Sequence, residues 1–144
     1  MDSSTNLHQL NFVLADIGAA YHQAALRLHL SDSALAVLYA LRDFGDGCPL
    51  RSVCQQSGIS KQTINSAVRK LEREGIVFLK GNGTGRGKNI YLTEAGAIYM
   101  QQTAGRLYNM EQDLLASWSA EECRQYLQLL KKYRDCLRDR VRKL

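Results

Sequence analysis

A mainly helical chain with one small β-hairpin is the fold class this sequence predicts. Three observations predict it. Apolar residues recur at steps of three and four near both ends of the chain. A Gly-rich segment lies between two short β-rich runs in the middle. Proline occurs once in 144 residues, so long helices are uninterrupted. Hydrophobic residues make up 45%, enough for a packed core and unlike a disordered chain. No apolar run approaches the ~20 residues that span a bilayer. The opening residues, MDSSTNLHQLNF, lack a basic start followed by an apolar stretch. These features argue against a membrane protein, a secreted precursor and a large multidomain enzyme, and the expected location is cytoplasmic.

The elements follow in order. Leu7, Leu10, Leu14, Ile17, Tyr21, Ala24 and Leu28 form a heptad seam, which predicts an amphipathic helix over 6–28. Ser31 or Ser33 can cap a second helix through Leu35, Leu38, Tyr39 and Leu41 to Phe44, stopped by Gly45 and Gly47. Pro49 can open a short third helix that ends at Gly58. Ser60 reads as the cap of a fourth helix, SKQTINSAVRKLERE, closed by Gly75. IVFLK and IYL then read as two strands joined by GNGTGRGKN. Thr93 caps the next helix, with Met100, Ala104, Leu107, Leu114 and Trp118 on one stripe. Ser119 and Glu122 match a capping box opening a last helix, whose seam is Tyr126, Leu130, Tyr133, Leu137 and Leu144.

Charge is concentrated. The chain nets +5, and residues 59–92 carry that whole excess through Lys61, Arg69, Lys70, Arg73, Lys80, Arg86 and Lys88 against Glu72 and Glu74. Localised positive charge suits a polyanion. A short helix, a Gly-containing turn and a polar-faced helix make a helix-turn-helix, whose second helix enters the major groove. A basic hairpin directly after it reads as a wing. Gln62 and Asn65 have the chemistry to read adenine, Lys61 and Arg69 to read guanine or hold phosphate, and Ser60, Thr63 and Ser66 to do either. Lys80, Arg86 and Lys88 on the wing suit the minor groove or its phosphates. Double-stranded DNA is thus the expected partner, and the fold a winged helix-turn-helix with long N- and C-terminal dimerisation helices.

The stretch from Ile59 to Gly96 resembles the MarR family of bacterial transcription regulators. The resembling elements are LEREG, the hydrophobic strand after it, a wing arginine and LTEAG. Arg86 stands six residues before Leu92, which matches the family's spacing. Thr84 stands where the family commonly has an acid, Arg69 where it commonly has Asp, and Ser66 where a basic residue is frequent. The resemblance implies one unit over 1–144, with a winged-helix DNA-binding lobe at 31–92 and a helical dimerisation lobe at 1–30 and 93–144. It implies a homodimer, and two heptad seams too long for one small core agree. Leu7, Leu10, Leu14, Ile17, Tyr126, Leu130, Tyr133 and Leu137 are the expected interface. A dimer predicts a palindromic operator and, with occupancy blocking polymerase, a repressor. The resemblance further implies a small aromatic or anionic ligand. By location alone, Tyr21, His22, Tyr39 and Arg42 are candidates to line its site.

Other classes fit less well. No catalytic set is apparent. The wing fails the P-loop pattern, with Asn82 in place of its first glycine and Asn89 in place of Ser or Thr. His22 and His29, seven residues apart, would be ~10 Å apart on a helix, too far for one zinc. Neither metal nor cofactor is expected, although a metal-responsive regulator is an alternative. So are a thiol-redox regulator and a winged-helix protein–protein adaptor. Cys48, Cys54, Cys123 and Cys136 form no C-x-x-C pair and read as reduced thiols. Cys54 is expected in the core and Cys48 in a loop.

Overall fold

The computed structural model of the chain describes residues 2–83 and 87–144. The chain divides into two compact units, Met1–Tyr108 and Asn109–Leu144. Among the described residues it is a mainly helical chain with one small antiparallel sheet. No single helix among them is long and apolar enough to cross a membrane.

In the first unit, α1 runs Ser3–Arg27, capped by Asp2, whose carboxylate accepts from the Ser4 hydroxyl at 2.8 Å. His29 follows with φ +56, a left-handed turn taken here by a residue other than glycine. Ser31 caps α2 (Asp32–Phe44), accepting from the Ala34 N–H at 3.1 Å. His22 Nδ1 lies 3.0 Å from Asp32 Oδ1 and joins the two helices. α2 buries Leu35, Val37, Leu38, Ala40 and Leu41, and α3 (Leu50–Ser57) buries Val53. Ile64, Ala67, Val68 and Leu71 of α4 (Lys61–Arg73) join the same core. The buried face of α4 follows from its 3.6-residue spacing of apolar side chains.

The sheet has three strands rather than the two expected. β1 (Cys48–Pro49) pairs with β3 (Lys88–Leu92), which pairs with β2 (Val77–Gly81), in the order β1-β3-β2. Cys48 faces Ile90, and Val77 faces Leu92. Two residues are too few to show strand periodicity, and a proline masks them, although an edge strand tolerates it. The pairing also moves Cys48. It is 2% exposed and belongs to the core, not to a loop, because its strand partner Ile90 is itself fully buried. Cys54 is half-buried and packs at the core's edge.

The single helix expected after Thr93 is two. α5 spans Glu94–Gln102 and α6 spans Ala104–Ala116. Thr103 sits between them at φ −123 and ψ −101, outside helical geometry. Its hydroxyl donates to the Tyr99 carbonyl at 2.8 Å, and the residue is 6% exposed. A threonine bonding back four residues bends a helix, a local effect that apolar periodicity does not register. The stripe itself survives in part: Ala104 and Leu107 are buried, whereas Leu114 and Trp118 are exposed.

The second unit holds the end of α6 and α7 (Ala120–Val141). The capping box is present: Ser119 Oγ accepts from the Glu122 N–H at 3.1 Å, and Glu122 Oε1 accepts from the Ser119 N–H at 3.0 Å. The Ser119 N–H, and after it the Ser119 side chain, hold the Glu122 carboxyl below its ordinary pKa. Trp118 meets Tyr126 edge-on at 5.4 Å. α7 buries no residue.

Candidate nucleic-acid interface

The turn between α3 and α4 is built from hydroxyls and one glycine. Ser57 Oγ donates to the Val53 carbonyl at 2.7 Å and accepts from the Ile59 N–H at 3.1 Å. Gly58 takes φ +69, the left-handed geometry that ends α3. Ser60 then caps α4, accepting from the Thr63 N–H at 3.3 Å and donating to the Thr63 hydroxyl at 3.0 Å. Ser60 and Thr63 therefore commit part of their hydrogen-bonding capacity to the start of the helix. Ser66 likewise donates to the Gln62 carbonyl at 3.1 Å and keeps its lone pairs outward.

With the apolar side of α4 buried, its opposite side is presented. Lys61, Gln62, Asn65, Ser66 and Arg69 line one open groove, and none of these lining residues is an acid. A second groove, between α4 and the wing, brings Asn65 and Arg69 together with Lys88, Leu79 and Glu72. A third, of about 620 Å³, is lined by Lys61 and Lys88 with Arg51, Gln55, Asn82 and Asn89 over Pro49, Leu50 and Cys54. Lys88 thus joins the α4 residues expected from the sequence. Lys80 lines none of these three grooves. Strand alternation sends it to the outer side of the sheet, with Nζ 5.8 Å from the Tyr91 ring centroid. Tyr91 there stacks on Phe78 at 5.3 Å. Arg86, and with it Thr84, lies outside the described residues.

Arg51, Gln55, Asn82 and Asn89 are groove residues that sequence reasoning missed. A signal existed for two of them. Arg51 and Gln55 are four apart on α3, hence on one face. The expected ligand-lining residues divide. Tyr39 and Arg42 converge on Tyr108, at 5.5 Å and 4.5 Å from its ring, while His22 turns to Asp32 and Tyr21 is exposed on α1. Of the expected interface residues, Leu7, Leu14, Ile17, Tyr126, Leu130, Tyr133 and Leu137 are exposed and Leu10 is half-buried.

The four cysteines are unpaired thiols. Burial pushes the Cys48 thiol above its ordinary pKa, and the Asp43 carboxylate adds to the shift. Its reactive thiolate is correspondingly disfavoured. No group of three or more His, Cys, Asp or Glu side chains placed to hold a metal occurs among the described residues.

Residues 29–86 match the model of the MarR family, from the end of α1 through α4 to the wing. The match covers 58 of the 144 residues and makes this stretch similar to the MarR family. The MarR family consists of transcription regulators, not enzymes. Among solved structures, the chain is similar to NMB1585, a MarR family regulator from Neisseria meningitidis, at 18% identity and a TM-score of 0.84 over 99% of both chains. It is similar to a MarR/EmrR family regulator from Acinetobacter sp. ADP1 at 21% identity and a TM-score of 0.70, covering 94% of this chain and 96% of that one. It is also similar to the PcaV regulator of Streptomyces coelicolor, solved in complex with its natural ligand, at 24% identity and a TM-score of 0.63, covering 94% and 96%. At these identities the likeness is one of fold. No curated protein matches the chain by sequence.

Proposed function

We propose that this chain is a MarR-family transcription regulator, a sequence-specific DNA-binding repressor. It acts in the cytoplasm as a homodimer on a palindromic operator. The lobe at 31–92 reads the DNA, and the segments 1–30 and 93–144 form the dimer. The observation that carries the reading is the groove of Lys61, Gln62, Asn65, Ser66 and Arg69 on the presented side of α4, with no acid among them. Amides and a guanidinium on one exposed helix face supply base-edge chemistry, and the cations supply attraction to phosphate. Lys88 extends the positive surface along the wing, and Arg86 continues it in sequence.

The dimer is supported by apolar surface that the chain leaves uncovered. α7 presents Leu127, Leu130, Tyr133 and Leu137, and α1 presents Leu7, Leu14 and Ile17. A second copy supplies the same two stripes, as two-fold symmetry requires. A small aromatic or anionic ligand then modulates DNA binding, in the manner suggested by the liganded PcaV structure. Such a ligand shifts affinity only as far as it prefers one spacing of the two recognition helices.

Selection of bound duplexes from a random pool at near-physiological salt tests the whole reading. A palindromic motif with half-sites about one helical turn apart is the expected result. Recovery without a motif would refute sequence-specific binding.

A further inference from the structure

Asp43 stands in the last turn of α2, where a negative charge opposes the helix dipole. Both of its carboxylate oxygens are engaged. Oδ2 accepts from Gln56 Nε2 at 2.7 Å, in the last turn of α3. Oδ1 accepts from Tyr108 Oη at 3.0 Å, on α6. Tyr108 is in turn held by α2: the Arg42 guanidinium lies 4.5 Å from its ring centroid and the Tyr39 ring 5.5 Å. α3 has only eight residues and one fully buried side chain, Val53, so apolar packing alone orients it weakly. Three residues beyond Gln56 the chain reaches Ile59, and then the Ser60 cap of α4.

We propose that Asp43 is a positioning residue that ties α6 to the first helix of the helix-turn-helix, through the bridge Tyr108–Asp43–Gln56. A displacement of α6 at Tyr108 is felt at the end of α3 and passes through the Gly58 turn to the start of α4. Asp43 touches no DNA on this view. It sets the angle at which α4 is offered. The consequence for DNA rests on the proposed function; the mechanical link does not.

Hydrogen exchange on the full chain tests the link. Tyr108→Phe removes one hydroxyl and keeps the ring on Arg42 and Tyr39. It is expected to speed exchange of the α3 amides about 2- to 10-fold, the equivalent of one ordinary hydrogen bond. In an Asp43→Ala or Gln56→Ala background the same change has no further effect on α3, because the path is already cut. Gln56→Ala leaves Asp43 in place and guards against gross loss of structure. Asp43→Asn retains most of the protection, since its amide can still accept from Gln56 and donate to the Tyr108 oxygen. An unaltered α3 in Tyr108→Phe, or an equal rise in the Gln56→Ala background, overturns the proposal. Affinity for a duplex selected by the chain is expected to fall by a similar factor in Tyr108→Phe and in Gln56→Ala, and no further in the double variant. If the wild-type chain selects no duplex, the proposed function fails while the exchange data still decide the bridge.

Discussion

Gly96 and Ile76 approach so closely that no side chain fits between them: a Cβ on Gly96 would stand 1.8 Å from the Ile76 carbonyl oxygen. That oxygen also accepts from the Thr93 N–H at 3.0 Å, and the Thr93 hydroxyl caps α5 through the Gly96 N–H at 2.9 Å. The LTEAG segment is therefore a joint. Its threonine starts the helix, and its glycine lets that helix lie against the backbone entering β2. Because the clash is with backbone, Gly96→Ala has no rotamer by which to escape. The expected cost is at or above the upper end of the ~1–3 kcal/mol typical of overpacking. Thermal unfolding measures it, and an unchanged melting temperature would contradict the contact.

Gln62 and Asn65 are proposed to read bases. Alanine at either should relax preference at particular positions of the selected site, by ~1–3 kcal/mol for a good bidentate contact. Binding to a panel of singly altered duplexes is the measurement. A uniform loss over all of them would reassign the side chain to the phosphate backbone.

Lys88 and Lys80 carry the same charge but lie on different sides of the wing sheet, Lys88 in the grooves beside α4 and Lys80 over the Tyr91 ring. On the proposed reading, Lys88→Ala weakens binding to every duplex alike and lowers the slope of log affinity against log salt by about 1. Lys80→Ala changes that slope less. Titrations at several salt concentrations check both, and equal slopes for the two variants would remove the distinction between the two sides of the wing.

Cys48 offers a test of burial. Its thiol pKa is raised in the folded chain, first by desolvation and then by Asp43. The folded state therefore holds the proton more tightly than the unfolded state does. The resulting stability is fully present below the ordinary thiol pKa and is lost as pH climbs through the raised one. Chemical unfolding across that alkaline range should show the loss in the wild type and a smaller loss in Cys48→Ala. Alkylation near neutral pH should reach the exposed Cys136 well before Cys48. Labelling of Cys48 at the same rate would contradict its place in the core.

Much of this was legible in the sequence, for identifiable reasons. Ser31, Ser60, Thr93 and Ser119 announced helix starts, because a side-chain cap needs a specific residue type at a specific place. The polar side of α4 was legible because Ile64, Ala67, Val68 and Leu71 fix which side is buried. The break at Thr103 was not, since it depends on one back-bonded hydroxyl. β1 was hidden because its pairing to β3 joins residues far apart along the chain, Cys48 with Ile90, and nothing local marks it. The grouping of Arg51 and Asn89 around one groove was hidden for the same reason. Asp43 read as one more polar residue at a helix end, and only the fold brings Gln56 and Tyr108 to it.

The unburied state of α7 has a consequence for dosage. Helices in proteins draw most of their stability from packing an amphipathic face, and α7 buries no residue. Its order must then be supplied by whatever covers its apolar stripe. If that is a second copy, stability obeys mass action, and the melting temperature rises with protein concentration. Synthesis level then sets the folded fraction directly: a scarce chain frays and is open to proteolysis, while an abundant one protects itself.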